Sequence, residues 1–269
     1  MPDPRVLDGI PASLWRIVAL ARHRLLMLDY DGTIAPFAAA RSQARPLPES
    51  IELVRRIADS GHTTVAIVSG RPLGELESLV GPLPATFVGE HGWEQRAPNG
   101  KMLRHSVERS VSRALDQAER LARAAGWSEW IERKRSAIVL HTRALPEADA
   151  HALQLECGSA WESIARSPKL TLDRIDGGLE LRARGRNKGT AVLSLISQAG
   201  PGTLGVFVGD DVTDEDAFEV VREYGFGVRV GDVGVPSIAQ GRLPSASALP
   251  SFLEEWLRLT LEEACPFTD

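Results

Sequence analysis

The chain has 269 residues, enough for one large or two small domains at about 150 residues each and for a core that needs no metal or disulfide staple. Lys and Arg number 31 against 36 Asp and Glu, a net charge of −5; this acidic balance argues against wrapping nucleic acid or coating an anionic membrane. Charged residues at 25% and apolar residues at 43% are ordinary globular values that exclude wholesale disorder, and no apolar run approaches the roughly 18 residues of a membrane span.

The first element is Arg24-Leu-Leu-Met-Leu28, a short apolar run that fits a strand buried on both faces. Ser50 to Ala58 carries Ile51, Val54 and Ile57 at helical spacing and stops before Gly61. Thr63 to Val68, rich in Val, Ile and Thr, is the next predicted strand. Pro72 to Val80 follows as a helix with proline at its start, then Thr86 to Val88 as a strand. Strands alternating with helices predict a parallel sheet with right-handed crossovers.

The pattern then changes. His105 to Ala125 is predicted as a long amphipathic helix with Val107, Val111, Leu115, Ala118, Leu121 and Ala125 on one stripe. Trp130-Ile131, Ala137 to His141 and Leu179 to Leu181 read as strands, with a helix over His151 to Ile164. Afterwards the first pattern resumes: a helix over Asn187 to Gln198, a strand at Leu204 to Val208, a helix over Thr213 to Glu223 with Thr213 and Asp216 as a capping box, and a strand at Phe226 to Val230. Val235 to Pro250 reads as loop, and a helix over Pro250 to Leu259 closes the order. The reading is an α/β protein: a Rossmann-like parallel-sheet core over 1–104 and 182–269, with a smaller α+β domain inserted over 105–181. Residues 1–5 lack the basic-then-apolar pattern of a secretory leader. Cys157 and Cys265 have no metal-type spacing and give no disulfide framework, which fits a reducing cytoplasm.

Two predicted strands stop at acidic clusters, Asp29-Tyr-Asp-Gly-Thr33 and Gly209-Asp-Asp-Val-Thr-Asp-Glu-Asp216. Ligand sites of open parallel sheets lie beyond the carboxyl ends of the strands, so the two clusters are expected to converge. Carboxylates gathered there repel unless a cation neutralises them, and a hard dication such as Mg²⁺ suits an oxygen-rich set. A carboxylate can also attack phosphorus and form an aspartyl-phosphate. Asp29 and Asp31 are two apart, so a straight strand would put them on one face; one could be nucleophile while the other handles protons. The bland alternative is that Asp-Gly makes a turn and that acids cap a helix. Capping is open to Asp214, Glu215 and Asp216 but not to Asp210 and Asp211, which precede the predicted cap. Ser69-Gly-Arg-Pro72, opening a helix after a strand, could hold an anion on a hydroxyl and backbone N–H groups. Asn187-Lys-Gly189 opens another helix with a lysine suited to phosphoryl charge.

Together and in this order, Asp29-Tyr-Asp-Gly-Thr33, Ser69, Lys188 and Gly209-Asp-Asp-Val-Thr-Asp214 resemble the haloacid dehalogenase superfamily. Leu28 to Pro36, Ser69 to Pro72, Gly89-Glu-His-Gly92 and Gly209 to Phe218 resemble more narrowly its trehalose-6-phosphate phosphatase family, with Glu132-Arg-Lys134, His141-Thr-Arg143 and Gly178-Leu-Glu180 matching segments of that family's cap. The resemblance implies Asp29 as nucleophile, Asp31 as general acid and base, Ser69 and Lys188 as groups that steady the phosphoryl group, and Asp214 as a nearby positioning acid. It implies a Mg²⁺ site of Asp29, Asp210 and the backbone carbonyl of Asp31. It implies substrate contacts from Thr33, Gly70, Arg71, Glu132, Lys134, Arg143 and Glu180. The cap residues have a physical rationale, since a disaccharide needs side chains that donate and accept, although such residues also make ordinary surface ion pairs. The expected reaction is Mg²⁺-dependent hydrolysis of trehalose 6-phosphate, by a monomer working with a trehalose-6-phosphate synthase. Three alternatives stay open: a related phosphatase of sucrose phosphate or a mannosyl compound, a non-catalytic sugar-phosphate sensor, and an acidic receiver-type domain.

Overall fold

A computed structural model describes residues 7–38, 43–175 and 177–262; Cys265 and residues 1–5 lie outside them. In chain order the elements are α1 (Ala12–Leu20), β1 (Arg24–Asp29), α2 (Pro48–Asp59), β2 (Thr64–Val68), α3 (Leu73–Val80), β3 (Thr86–Gly89), β4 (Glu94–Arg96), β5 (Met102–Arg104), α4 (Arg109–Ala124), β6 (Ile131–Arg133), β7 (Ala137–His141), α5 (Glu147–Ala165), β8 (Leu170–Ile175), β9 (Gly178–Ala183), α6 (Lys188–Ala199), β10 (Leu204–Gly209), α7 (Glu215–Val221), β11 (Gly225–Val230), β12 (Gly241–Leu243) and α8 (Leu249–Glu262). The chain divides into two compact units. Of the described residues, one comprises 7–38, Ala44–Leu103 and 187–262; the other is built chiefly of Arg104–Arg186.

The first unit holds a sheet of order β12-β11-β10-β1-β2-β3-β4-β5. It is parallel from β12 through β3, and β4 joins β3 antiparallel. All six residues of β1 are buried, because helices cover both faces and each face needs its own apolar row. Leu26 and Leu28 of β1, Val65 and Ile67 of β2 and Val206 and Val208 of β10 pack with α1, α2 and α8 side chains such as Val18, Val54 and Trp256. Leu25 and Met27, Ala66 and Val68, and Phe207 fill the opposite face with Val192 and Leu195 of α6 and Phe218 of α7. The buried Trp256 indole donates to Thr63 Oγ1 at 3.1 Å, so the largest side chain on that face leaves no orphaned donor.

The second unit is a sheet of order β6-β7-β9-β8, antiparallel throughout, with α4 and α5 packed against it. Fully buried Trp161 of α5 donates to the Ala118 carbonyl of α4 at 3.2 Å. The unit runs past Leu181 because β9 continues to Ala183, where Ala183 N donates to Ser136 O.

Several sequence expectations change here. The buried stripe of α4 is Val111, Leu115, Ala118 and Ala122, and Leu121 is exposed; steps of four, three and four keep a row on one side of a 3.6-residue helix. The stretch 235–250 is not all loop, since β12 pairs with β11 and α8 begins at Leu249. A short 3₁₀ turn, Val212–Asp214, precedes α7. Its capping box is Asp211 with Asp214, not Thr213 with Asp216. Asp211 is thereby the cap itself.

Candidate active site

The alternation that fills the core also aims the site. Leu25 and Met27 face α6 and α7, so Asp29, two residues further, faces the same way. Lys188 is the first residue of α6, after the Asn187 cap, and there its ammonium meets Asp29. Lys188 Nζ donates to Asp29 Oδ1 at 2.7 Å and to Asp214 Oδ1 at 2.6 Å, with all three side chains at most 4% exposed. Asp214 Oδ2 accepts from the backbone N–H groups of Asp210 and Asp211, both at 2.9 Å. The Asp214 carboxylate therefore ties the lysine to the loop that follows β10. Gly209 makes room for it: a Cβ there would collide with the Asp214 carboxylate.

One oxygen from each of Asp29, Asp210 and Asp214 lies within 4.8 Å of the others, and Asp210 Oδ1 is buried without a hydrogen-bond partner. Three carboxylates thus cluster around one ammonium, which bonds two of them, Asp29 and Asp214. Burial lifts the Asp29 carboxyl well above the ordinary carboxylate range; Lys188 opposes this, and Asp214 and Asp210 add to it. Burial, then Asp214, pushes Asp210 up to about 8. Burial works against the charge of Lys188, but Asp214 and Asp29 outweigh it and hold the ammonium above the usual lysine value. Unmet negative charge and an orphaned carboxylate oxygen are what a hard, oxygen-seeking dication satisfies. Asp214 already accepts from three donors, which leaves Asp29 and Asp210 as the side chains for such an ion.

Asp31 lies past the end of β1, so strand alternation does not set its side chain. The strand ends at Asp29, and the chain folds back in a tight turn in which Gly32 N donates to Ala35 O and Ala35 N to Tyr30 O. Gly32 takes φ +77° there, a region that side chains disfavour. The Asp31 side chain is 35% exposed and is gripped by Arg71 at 2.6 and 2.7 Å. Ser69 is buried; its Oγ accepts from Arg71 N at 3.2 Å. Thr33 is buried with its Oγ1 unpartnered. The ring of His91 packs over Gly70, where a Cβ would clash with it. His91 N donates to Ser69 O and Glu90 N to Arg71 O, with both residues at positive φ. Asp29, Ser69, Lys188, Asp210 and Asp214 and the turn bearing Asp31 and Thr33 all belong to the first unit.

The other predicted residues lie in the second unit. Register aligns Glu132 with Val139 and Val139 with Glu180, one row across one sheet face. Lys134 Nζ bonds Glu180 Oε1 at 3.1 Å, both buried. Glu132 Oε2 meets His141 Nε2 at 2.8 Å, and Arg143 is exposed just past β7. Residue types alone do not reveal Glu75 and Tyr30, which surround the Arg71 guanidinium; the i, i+4 spacing of Arg71 and Glu75 was the available signal. No helix of the described residues is long and apolar enough to cross a membrane.

The sequence profile of the trehalose-phosphatase family matches residues 27–245. A bifunctional trehalose-6-phosphate synthase/phosphatase of Thermoproteus tenax is 34% identical over 239 residues, covering 88% of this chain and 32% of its own length. The chain thus spans about a third of that relative. A trehalose-6-phosphate phosphatase of Escherichia coli is 30% identical over 212 residues, with 76% of each chain covered. Among solved structures, the C-terminal domain of C. albicans trehalose-6-phosphate phosphatase superposes with TM-score 0.80 at 22% identity, covering 95% of this chain and 97% of the other; it shares the fold.

Proposed function

The chain belongs to the trehalose-phosphatase family, and on that footing we propose that it hydrolyses trehalose 6-phosphate to trehalose and phosphate through an aspartyl-phosphate on Asp29. The observation that carries this reading is the buried Lys188 bridge between Asp29 and Asp214, beside the orphaned oxygen of Asp210. A pure binder has no use for a buried carboxylate held against an ammonium beside two more carboxylates.

Asp29 attacks phosphorus with the oxygen that Lys188 does not hold. The bond from phosphorus to the sugar oxygen breaks, its electron pair stays on that oxygen, and Asp31 supplies the proton. Asp31 then takes a proton from water as the water oxygen attacks the aspartyl-phosphate, and the bond between phosphorus and Asp29 breaks. Lys188, the Ser69 hydroxyl and Thr33 Oγ1 steady the phosphoryl oxygens, where charge stabilisation is the main demand. Asp29, Asp210 and the backbone carbonyl of Asp31 would hold Mg²⁺, which supplies neutralisation of phosphoryl charge. Glu132, Lys134, Arg143 and Glu180 are the groups proposed to grip the sugar hydroxyls. The relative named for both synthase and phosphatase supports pairing with a synthase that makes the substrate.

The test is phosphate release from a panel of sugar phosphates, with Mg²⁺ and with chelator. Metal-dependent release from trehalose 6-phosphate is expected. Release from sucrose phosphate or a mannosyl phosphate but not from trehalose 6-phosphate overturns the substrate assignment and the four sugar-binding residues. Folded protein silent on the whole panel overturns the phosphatase reading.

A further inference from the structure

Building on the phosphatase reading, we propose that Arg71 is a positioning residue that holds the Asp31 carboxyl in place for its proton transfers, and that Glu75 and the Tyr30 ring fix Arg71 for that task. Arg71 Nε donates to Asp31 Oδ2 at 2.7 Å and Nη2 to Oδ1 at 2.6 Å. Two parallel bonds from a planar fork set both the direction and the plane of a carboxylate, which a single bond does not. The Arg71 side chain is 0% exposed, whereas Asp31 is 35% exposed. Of the two, Asp31 is the one open to a substrate.

The fork is itself braced. Nη1 bonds Glu75, one turn along α3. The guanidinium carbon sits 5.2 Å from the centre of the Tyr30 ring, close enough for a cation–π contact. The Tyr30 hydroxyl donates to Ala44 O at 2.8 Å. The backbone of Arg71 is tied at both ends, its N–H to Ser69 Oγ and its carbonyl to Glu90 N. A side chain fixed on this many sides is placed by the fold, not by a ligand.

Asp31 needs such a guide. It sits past the end of β1 in a turn, with no strand register to aim it. Its carboxyl must deliver a proton to the departing sugar oxygen and later collect one from water at nearly the same place. Each carboxylate oxygen offers two lone-pair sites. Arg71 occupies one on each oxygen, so the remaining sites serve the reaction while the group stays held.

Leaving-group chemistry separates this role from substrate binding and from bulk structure. A sugar alkoxide must be protonated as it departs. The p-nitrophenolate of p-nitrophenyl phosphate leaves without a proton, although the later attack of water still uses Asp31. The experiment compares wild type, Arg71→Lys and Glu75→Gln on trehalose 6-phosphate in the steady state and on p-nitrophenyl phosphate in the first turnover. Lysine keeps the charge but not the fork. Arg71→Lys is expected to lower kcat on the sugar phosphate by about 100-fold, the lower range for general acid–base catalysis, with KM little changed. The first-turnover burst of p-nitrophenolate is expected to persist. Glu75→Gln, at a position about a third exposed, is expected to show the same split with a smaller loss and carries the test should Arg71→Lys fail to fold.

A raised KM with kcat unchanged would make Arg71 a substrate ligand and overturn the proposal. So would equal loss of the burst and of sugar-phosphate turnover, which is the mark of structural damage. Variants that turn over like an active wild type defeat the positioning role alone, whereas a wild type inactive on every phosphate ester defeats the phosphatase reading beneath it.

Discussion

Replacing Lys188 by methionine probes the centre of the site. Its ammonium reaches Asp29 at 2.7 Å and Asp214 at 2.6 Å, and none of the three side chains is more than 4% exposed. Methionine keeps the length of the stem and removes the charge. Asp214 then retains its two backbone donors, but Asp29 loses its ammonium partner. Removing one partner of a buried ion pair costs about 3–5 kcal/mol, because the other charge is left uncompensated. For a chain of this size each kcal/mol moves the melting temperature by about 2–4 °C. Lys188→Met is therefore expected to melt roughly 6–20 °C below wild type in chelator. The double variant Asp29→Asn with Lys188→Met removes the stranded charge as well. It is expected to recover at least about 1 kcal/mol, the coupling of a contacting pair. Calorimetric melts of wild type, both single variants and the double variant at one pH give the cycle. A Lys188→Met protein that melts within about 2 °C of wild type, or a cycle with no coupling, would show that the bridge adds nothing to stability.

Three further outcomes follow from the same geometry. Mg²⁺ at about 100 times its dissociation constant is expected to stabilise the protein by about 2.7 kcal/mol, and Asp210→Asn to remove that gain; an equal rise in melting temperature in both proteins would place the ion elsewhere. Asp29→Asn is expected to abolish turnover while keeping the fold, read by phosphate release beside circular dichroism, and turnover like wild type would take Asp29 out of the nucleophile role. Cys157 is fully buried, and burial pushes its thiol up to about 12, so it should resist iodoacetamide until the protein unfolds; peptide mapping that finds native Cys157 alkylated at the rate of a free thiol would contradict the packing of α5.

How far the sequence reaches depends on what decides each feature. Strand alternation decides the meeting of Asp29 and Lys188: the parity that puts Leu25 and Met27 against α6 also aims Asp29 at the first residue of that helix. That is local information, and the residues carry it. The orientation of Asp31 is decided by a turn that closes on Ala35 and by Arg71, forty positions away. No period in the sequence encodes either, because strand alternation stops with β1 at Asp29. Asp211 defeats the reading for another reason. Several residues at 211–216 can accept from backbone N–H groups, and a 3₁₀ turn ahead of α7 moves the cap forward. Strand β12 is three residues with no pattern of their own, and only pairing with β11 makes Gly241–Leu243 a strand.

The two aspartates of the first motif end in opposite surroundings, and the division suits opposite tasks. Asp29 is buried among like charges, with one oxygen bonded to the Lys188 ammonium, as a nucleophile fixed in place requires. Asp31 is a third exposed and held by a fork, as a group that exchanges protons with substrate and water requires. The turn at Gly32 sets these surroundings. It ends β1 after Asp29, brings Asp31 within reach of Arg71, and leaves Gly32 so close to Asp210 that a Cβ would overlap its carboxylate. The glycine therefore lets the second acidic loop approach the first.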